Sequence, residues 1–343
     1  MDGYKRWLTA VVIMFLMVAC GGTSSTGSDT TTNAGASPAS DATAATNTSG
    51  AASPASDGTA ATNTPEAASQ SGAKPTIRIG SKGFTEQLIV GEIAAALLEN
   101  AGYTVERNLN LNTTNIVHQA MLNGELNLYI EYTGTGLTSV LNLPVQTDPQ
   151  QVYNTVKQEY ESRFKMTWLE PWGFNDTYAL IMTKARADEL GIKTISDLQG
   201  KADQLVLGSD QEFFDRPDGL PGLEKAYNIK FQDQKGITSG LLYQAVSESQ
   251  VDVIAGFSTD GRIPALDLVV LQDDKQFFPP YFAAPVIRQD ILAQSPEIEE
   301  ILNQVANKIS DETMAQLNLQ VDQEQKEPAD VAQAFLQEQG LLK

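Results

Sequence analysis

Few side chains in this sequence are equipped for bond-making chemistry. Among its 343 residues there is one histidine, His118, and one cysteine, Cys20. No His-His or His-Cys metal site can be built from these. His118 follows Val117 on a predicted helix, where a solvated or partly packed position is expected. Gly236-Ile-Thr-Ser-Gly240 has the outline of a nucleophile elbow, but Thr238 stands at its centre and the pattern suits a helix start better. Gly134-Thr-Gly136 is too short to cradle a phosphate, and Asp273-Asp274 reads as a solvated turn. No metal or cofactor is implied, and the expectation is a protein that binds and does not catalyse.

A second set of residues suits binding. Tyr132 ends a predicted strand, while Tyr178 and Tyr281 fall where the chain is expected to cross between two lobes. Aromatic faces attract a cation by about 0.5 to 2 kcal/mol each when water is excluded. Several rings together can therefore enclose a quaternary ammonium, which has no N–H to donate. Lys82 follows another strand end, and Arg216 lies in Phe214-Asp-Arg-Pro-Asp-Gly-Leu-Pro-Gly222. Either base could grip a carboxylate, the arginine with two parallel donors.

The elements that must position these groups follow from periodicity. Thr76 to Gly80 alternates as a short strand, and a helix follows with Leu88, Ile89, Ile93 and Leu97 on one face. Thr85 is placed to cap that helix. Thr104 to Leu109 reads as a second strand, then a helix carries Ile116, Val117, Ala120 and Met121 to a stop at Asn123-Gly124. Leu126 to Tyr132 is a third strand. Alternating strands and helices predict an α/β fold with a parallel-type sheet. The later half echoes the earlier one at constant spacing, from Gln119/Gln244 through Tyr132/Phe257 to Gly136/Gly261. Gln204 to Asp210 is again a strand ending in Gly-Ser. Two lobes whose strand ends face one cleft are therefore expected, since open α/β sheets bind ligands beyond their carboxyl strand ends. The crossings are placed near Asn175 to Tyr178 and Pro280 to Pro285. Capped helices at Ser295 to Ile309 and Glu327 to Gly340 are expected to return to the first lobe.

The beginning of the chain has a different character. Lys5 and Arg6 precede an apolar run from Trp7 to Ala19, which describes a secretory signal. That run is short of the roughly 20 apolar residues a permanent span needs. Cys20, directly after Met17-Val-Ala19, resembles the acylated cysteine of a bacterial lipobox, with Met17 in place of the usual Leu. Residues 21 to 74 are small and polar, and Ala36 to Thr48 returns almost unchanged from Ala52 to Thr64. Such a segment cannot offset its own ordering entropy and is expected to be a tether. The net charge of −20 argues against nucleic acid as a partner. The expected organisation is a signal at 1–19, an acylated Cys20 and linker over 20–74, one lobe from 75–176 with 283–343, and the other from 177–282.

Several long motifs then resemble one family. They are Gly80-Ser-Lys-Gly-Phe-Thr-Glu-Gln87, Tyr129-Ile-Glu-Tyr-Thr-Gly134, Asn175-Asp-Thr-Tyr-Ala179, Arg216-Pro-Asp-Gly-Leu-Pro-Gly-Leu223, Val251 to Arg262, and Asp273 to Tyr281. They resemble the glycine betaine/carnitine/choline substrate-binding proteins of ABC importers, of the osmoprotection type. The resemblance covers nearly all of residues 75 to 343. It implies a two-lobed, type II periplasmic-binding-protein fold that closes by hinge motion, and a monomer that hands its ligand to a permease and ATPase complex. Tyr132, Tyr178 and Tyr281 match cage tyrosines, and Phe257 stands where a betaine-binding member has a fourth. Lys82, Thr135 and Arg216 match residues that hold a carboxylate. Asp176, through its backbone carbonyl, and Glu212 match further residues near the site. Two buried cations without an anionic partner would be costly, so a betaine or carnitine is expected to bind better than choline. A choline-binding member of the same family, a ligand-binding module for a sensor or adhesion partner, and an enzyme acting on a cationic metabolite remain the competing readings.

Overall fold

The computed structural model describes residues 74–342. The expected signal, Cys20 and the repetitive tether lie outside the described residues.

Strand β1 (Ile77–Gly80) buries Ile77 and Ile79 completely, as its alternation requires. It pairs in parallel with β2 (Val105–Asn108) and with β3 (Leu128–Tyr132). Helix α1 (Thr85–Asn100) covers this sheet with Ile89, Ile93 and Leu97 inward. Thr85 does not cap it. The cap position is Phe84, and the Thr85 hydroxyl donates instead to Asp322 Oδ1 at 2.6 Å. Helix α2 (Thr114–Asn123) ends where Gly124 takes a left-handed φ of 76°, the conformation that suits glycine there.

Each sheet is mixed and not purely parallel. The first has the order β2-β1-β3-β10-β4, with β4 at Met166–Trp168 and β10 at Ala283–Arg288. The second has the order β7-β6-β8-β5-β9, with β5 at Tyr178–Thr183, β6 at Val206–Ser209, β7 at Asp233–Gly236, β8 at Val253–Phe257 and β9 at Leu268–Val270. In each sheet four strands run in one direction and a single strand, β10 in the first and β5 in the second, runs opposite to both its neighbours. The antiparallel strand beside β3 is β10, and beside β8 it is β5. These are the strands that begin where the chain passes from one sheet to the other.

The internal echo is a matter of register. Gly80 faces Tyr129 across β1 and β3, and Gly208 faces Ile254 across β6 and β8. Tyr132 pairs with Ala283, and Phe257 pairs with Tyr178. Tyr132 and Phe257 therefore occupy equivalent ends of equivalent strands. The C-terminal helices Glu297–Leu302, Asp311–Asp322 and Pro328–Glu338 pack against α1. The middle one had no counterpart in the sequence expectation.

The two passages between the sheets are tied together. Asn175 and Phe282 form an antiparallel bridge, and Asn175 Oδ1 accepts from the Tyr281 N–H at 2.6 Å. Phe282 N–H donates to the Thr133 hydroxyl oxygen at 3.0 Å, and that hydroxyl donates to the Pro280 carbonyl at 2.9 Å. Gly134 packs so closely here that a Cβ would lie 2.6 Å from the Tyr281 ring and 2.9 Å from the Pro280 carbonyl oxygen. Gly134→Ala should therefore destabilise the protein by about 1–3 kcal/mol, the ordinary cost of overpacking. Thermal unfolding would register this as a lowered Tm, and an unchanged Tm would contradict the close packing.

Candidate functional site

All nine residues singled out from the sequence as ligand contacts line one cavity of about 420 Å³ between the sheets. That volume is in the range of small-molecule sites. Each group lies at one end of a strand or in the segment beside it. Lys82 follows β1, Tyr132 ends β3 and Thr135 lies one turn beyond it. Asp176 and Tyr178 stand where the chain enters β5, Glu212 and Arg216 follow β6, Phe257 ends β8, and Tyr281 precedes β10.

The apolar part of the cavity is a box of rings. Tyr178 lies 5.2 Å from Phe257 and meets Tyr281 edge-on at 5.7 Å, with ring planes 87° apart. Phe84 stacks on Phe257 at 5.2 Å with planes 8° apart, and its ring lies 6.3 Å from Tyr132. Sequence reasoning did not select Phe84. It sits inside the Gly80–Gln87 motif, but its position before a helix carries no periodic signal of its own. Gly236, Ile237, Thr238 and Ser239 also line the cavity. The stretch that resembled a nucleophile elbow is the start of a helix, Ser239–Ser247.

The polar part differs from expectation in a decisive respect. Lys82 and Arg216 were expected to lack anionic partners, yet each has one. Lys82 Nζ donates to Glu131 Oε1 at 2.5 Å, and Glu131 is fully buried. Gln87 fixes this loop, accepting weakly from the Lys82 N–H and donating to the Ile130 carbonyl. Arg216 donates to Asp218 through Nε at 3.0 Å and Nη2 at 2.6 Å, and Asp218 is fully buried as well. The paired edge of the guanidinium, expected for a ligand carboxylate, is thus committed within the protein. Its Nη1 points to the Thr135 hydroxyl at 3.2 Å. Neither cation is left unpaired, so neither by itself disfavours choline.

This pairing is local in origin. Arg216 precedes proline and adopts the extended backbone that such a residue favours. Gly219 N–H donates to the Arg216 carbonyl at 3.0 Å, closing a turn with Pro217 at its second position. A Cβ at residue 219 would lie 2.0 Å from the Phe213 carbonyl oxygen, so the turn requires glycine. Burial alone would raise the Asp218 carboxyl, but the Arg216 charge and hydrogen bond outweigh it and hold it below the usual range. At Glu131 burial prevails over Lys82 and the carboxyl is pushed up.

Glu212 serves the interface between lobes. Its carboxylate accepts from the Thr114 N–H at 2.7 Å and the Thr114 hydroxyl at 3.3 Å, capping α2 from across the cleft. The free N–H groups of a helix start favour an anion there. Asp176 belongs to a second cross-lobe cluster. Thr259 Oγ1 lies 2.5 Å from Glu86 Oε2 and 2.8 Å from Asp176 Oδ1. Tyr132 OH donates to Glu86 Oε1 at 2.7 Å, and Asn318 Nδ2 donates to Glu86 Oε2 at 3.1 Å. A threonine hydroxyl carries one proton, so it can donate to only one of two acids and must accept from the other. Glu86, with three donors around it, takes the carboxylate role, and Asp176 holds the proton.

Burial is the main reason that both Glu86 and Asp176 are pushed above the ordinary carboxylate range, Asp176 well above it. A raised folded-state pKa stabilises the fold fully below the unfolded value, and this contribution is lost as pH rises through the folded value. Asp176→Asn keeps a permanent N–H donor toward Thr259. Its Tm, relative to the parent protein, should therefore become more favourable between about pH 5 and about pH 8. A difference that does not change with pH would contradict the shared proton. His118, by contrast, lies outside the cavity. It packs against Phe164 at 4.7 Å and Tyr160 at 5.7 Å, and burial lowers its pKa to about 4.

Two α/β lobes, each closing one side of a cavity at their strand ends, define a solute-binding protein of the periplasmic type. Residues 75–338 match the substrate binding domain of the ABC-type glycine betaine transport system, and the chain belongs to that family. It is similar to a carnitine transport binding protein of Listeria monocytogenes, 40% identical over 268 residues, covering 77% of this chain and 87% of that one. It is also 39% identical over 271 residues to an ergothioneine transport permease/ergothioneine binding protein of Helicobacter pylori, covering 78% of this chain and 48% of that one. A solved glycine betaine/carnitine/choline ABC transporter structure superposes with a TM-score of 0.66 at 35% identity, covering 78% of this chain and all of the other. Among the described residues no helix is long and apolar enough to cross a membrane.

Proposed function

We propose that this protein is the extracytoplasmic binding component of an ABC importer, anchored by a lipid on Cys20, and that it captures a quaternary-ammonium osmolyte. The observation that carries this reading is the convergence of Phe84, Tyr132, Tyr178, Phe257 and Tyr281 on one cavity that also presents Lys82, Arg216 and Thr135. A trimethylammonium group has no N–H donor, so ring faces can hold it without leaving a hydrogen bond unmade. Phe257 retains the ring face while lacking a hydroxyl. A ligand carboxylate would meet the free N–H groups of Lys82, the Nη1 edge of Arg216 and the Thr135 hydroxyl. Glycine betaine, proline betaine and carnitine have this combination of charges.

In this reading residues 75–176 and 283–343 form one lobe and 177–282 the other. Hinge motion at Asn175 and Phe282 admits the ligand, and a monomer delivers it to the permease and ATPase. It performs no chemistry on the ligand. A second reading, with choline as ligand, is favoured by one observation: both cavity cations carry their own carboxylates. Ergothioneine also joins a trimethylammonium to a carboxylate, and the relative that carries its name makes it a useful third titrant.

Calorimetric titration with glycine betaine, choline and ergothioneine tests the ligand class. Saturable binding of at least one is expected, and binding of none would overturn the assignment. Tyr132→Ala removes a ring face, worth about 0.5–2 kcal/mol, together with its apolar contact. The affinity should fall by about tenfold or more, at about 1.4 kcal/mol per factor of ten. Undiminished affinity in a folded variant would refute the cage.

A further inference from the structure

We propose that Asp218 is a specificity-determining residue that sets the balance between cationic and zwitterionic ligands by neutralising Arg216. The proposal rests on the quaternary-ammonium reading and deepens it.

The Arg216 guanidinium lies against the rings of the box. Its central carbon is 5.3 Å from the Tyr178 ring centre and 5.9 Å from that of Tyr281. An ammonium group held on those same rings is therefore a near neighbour of Arg216. In a cavity with little water, two like charges at such range repel strongly. A free Arg216 would oppose the cation that the rings attract. Asp218 removes that conflict. It takes two donors from the guanidinium and also accepts from Tyr281 OH at 2.6 Å, so one buried carboxylate fixes both the charge and a ring of the box. Its lowered pKa keeps it ionised over the physiological range.

Neutralisation has opposite effects on two ligand classes. Choline carries a positive charge without a carboxylate, and Asp218 makes the neighbourhood of Arg216 tolerable to it. Glycine betaine brings its own carboxylate to the Nη1 side of Arg216, where Asp218 competes for the same positive charge. Asp218 thus trades affinity for the zwitterion against access for the cation. Glu131 stands in a similar relation to Lys82, but burial raises its carboxyl and its Oε2 has no partner among the described residues. Asp218 is the firmer counter-ion of the two.

The test is a charge cycle: the parent protein, Asp218→Asn, Arg216→Gln and the double variant, each titrated with choline and with glycine betaine. Preference for glycine betaine over choline should rise by about tenfold in Asp218→Asn, where Arg216 is unmasked, and fall in Arg216→Gln, where Asp218 is left alone. The double variant restores a neutral pair and should return toward the parent ratio. If Asp218→Asn does not fold, the opposite shift in Arg216→Gln and its reversal in the double variant still decide the question. A merely structural Asp218 would weaken both ligands by one factor and leave the ratio unmoved, which would overturn the proposal. The two single variants shifting the ratio in the same direction would also overturn it. A parent protein that binds neither ligand would refute the quaternary-ammonium reading itself, and a parent that binds with an unmoved ratio would refute Asp218 alone.

Discussion

Charge placed where water is scarce must be answered within the protein, and that constraint organises the space between the two lobes. Lys82 is 4% exposed and Arg216 is 6% exposed, while their partners Glu131 and Asp218 are fully buried. Removing one partner of such a pair typically costs several kcal/mol, because it strands a buried charge. Where two acids meet instead, at Glu86 and Asp176, a proton and the Thr259 hydroxyl take the place of a cation. Each of these charged groups is thus positioned by a partner within the protein. Preorganisation of this kind lets a binding site offer rings and donors without first reorganising them.

The duplicated fold supplies the geometry. Each lobe builds four strands in one direction and inserts one antiparallel strand, β10 or β5, which begins at a passage between lobes. Equivalent register sends Tyr132 from one lobe and Phe257 from the other toward the same space. Tyr178 and Tyr281 come from the passages themselves, so any rotation about Asn175 and Phe282 moves ring against ring. Bonds that span the cleft reach the box itself: Glu212 accepts from the start of α2, Arg216 donates to Thr135, and Thr259 bonds to Glu86, which also accepts from Tyr132 OH. The cross-lobe bonds and the ring packing therefore share residues.

Much of this could be read from the sequence, for physical reasons that can be named. Short alternating strands such as Ile77–Gly80 and the Asn123-Gly124 helix stop are local signals, and they fall where expected within a residue or two. The equivalence of Tyr132 and Phe257 was visible because repetition preserves spacing. Strand direction was not visible. Periodicity has no sign, and β5 and β10 enter their sheets from distant parts of the chain. The Asp311–Asp322 helix was missed, although Ser310 caps it through the Thr313 N–H. Thr85 looked like a cap but found Asp322 instead, a tertiary competitor that no local rule contains. The least legible feature was the pairing of charges. Glu131 faces Lys82 only once β1 and β3 are adjacent, while Asp218 was in plain view two residues from Arg216, and only the turn at Pro217 reveals that its carboxylate folds back.

The central claim is that the rings recognise positive charge and not merely a bulky apolar head. It is tested most directly by comparing glycine betaine with 3,3-dimethylbutanoate, its carbon isostere, in which an uncharged quaternary carbon replaces the nitrogen. Both have the same shape and the same carboxylate. If several ring faces each contribute about 0.5–2 kcal/mol of cation–π attraction, calorimetry should find the isostere weaker by a factor of about 100 or more. Equal affinity for the two would mean that the box is an ordinary apolar pocket, and the account given for its rings would be contradicted.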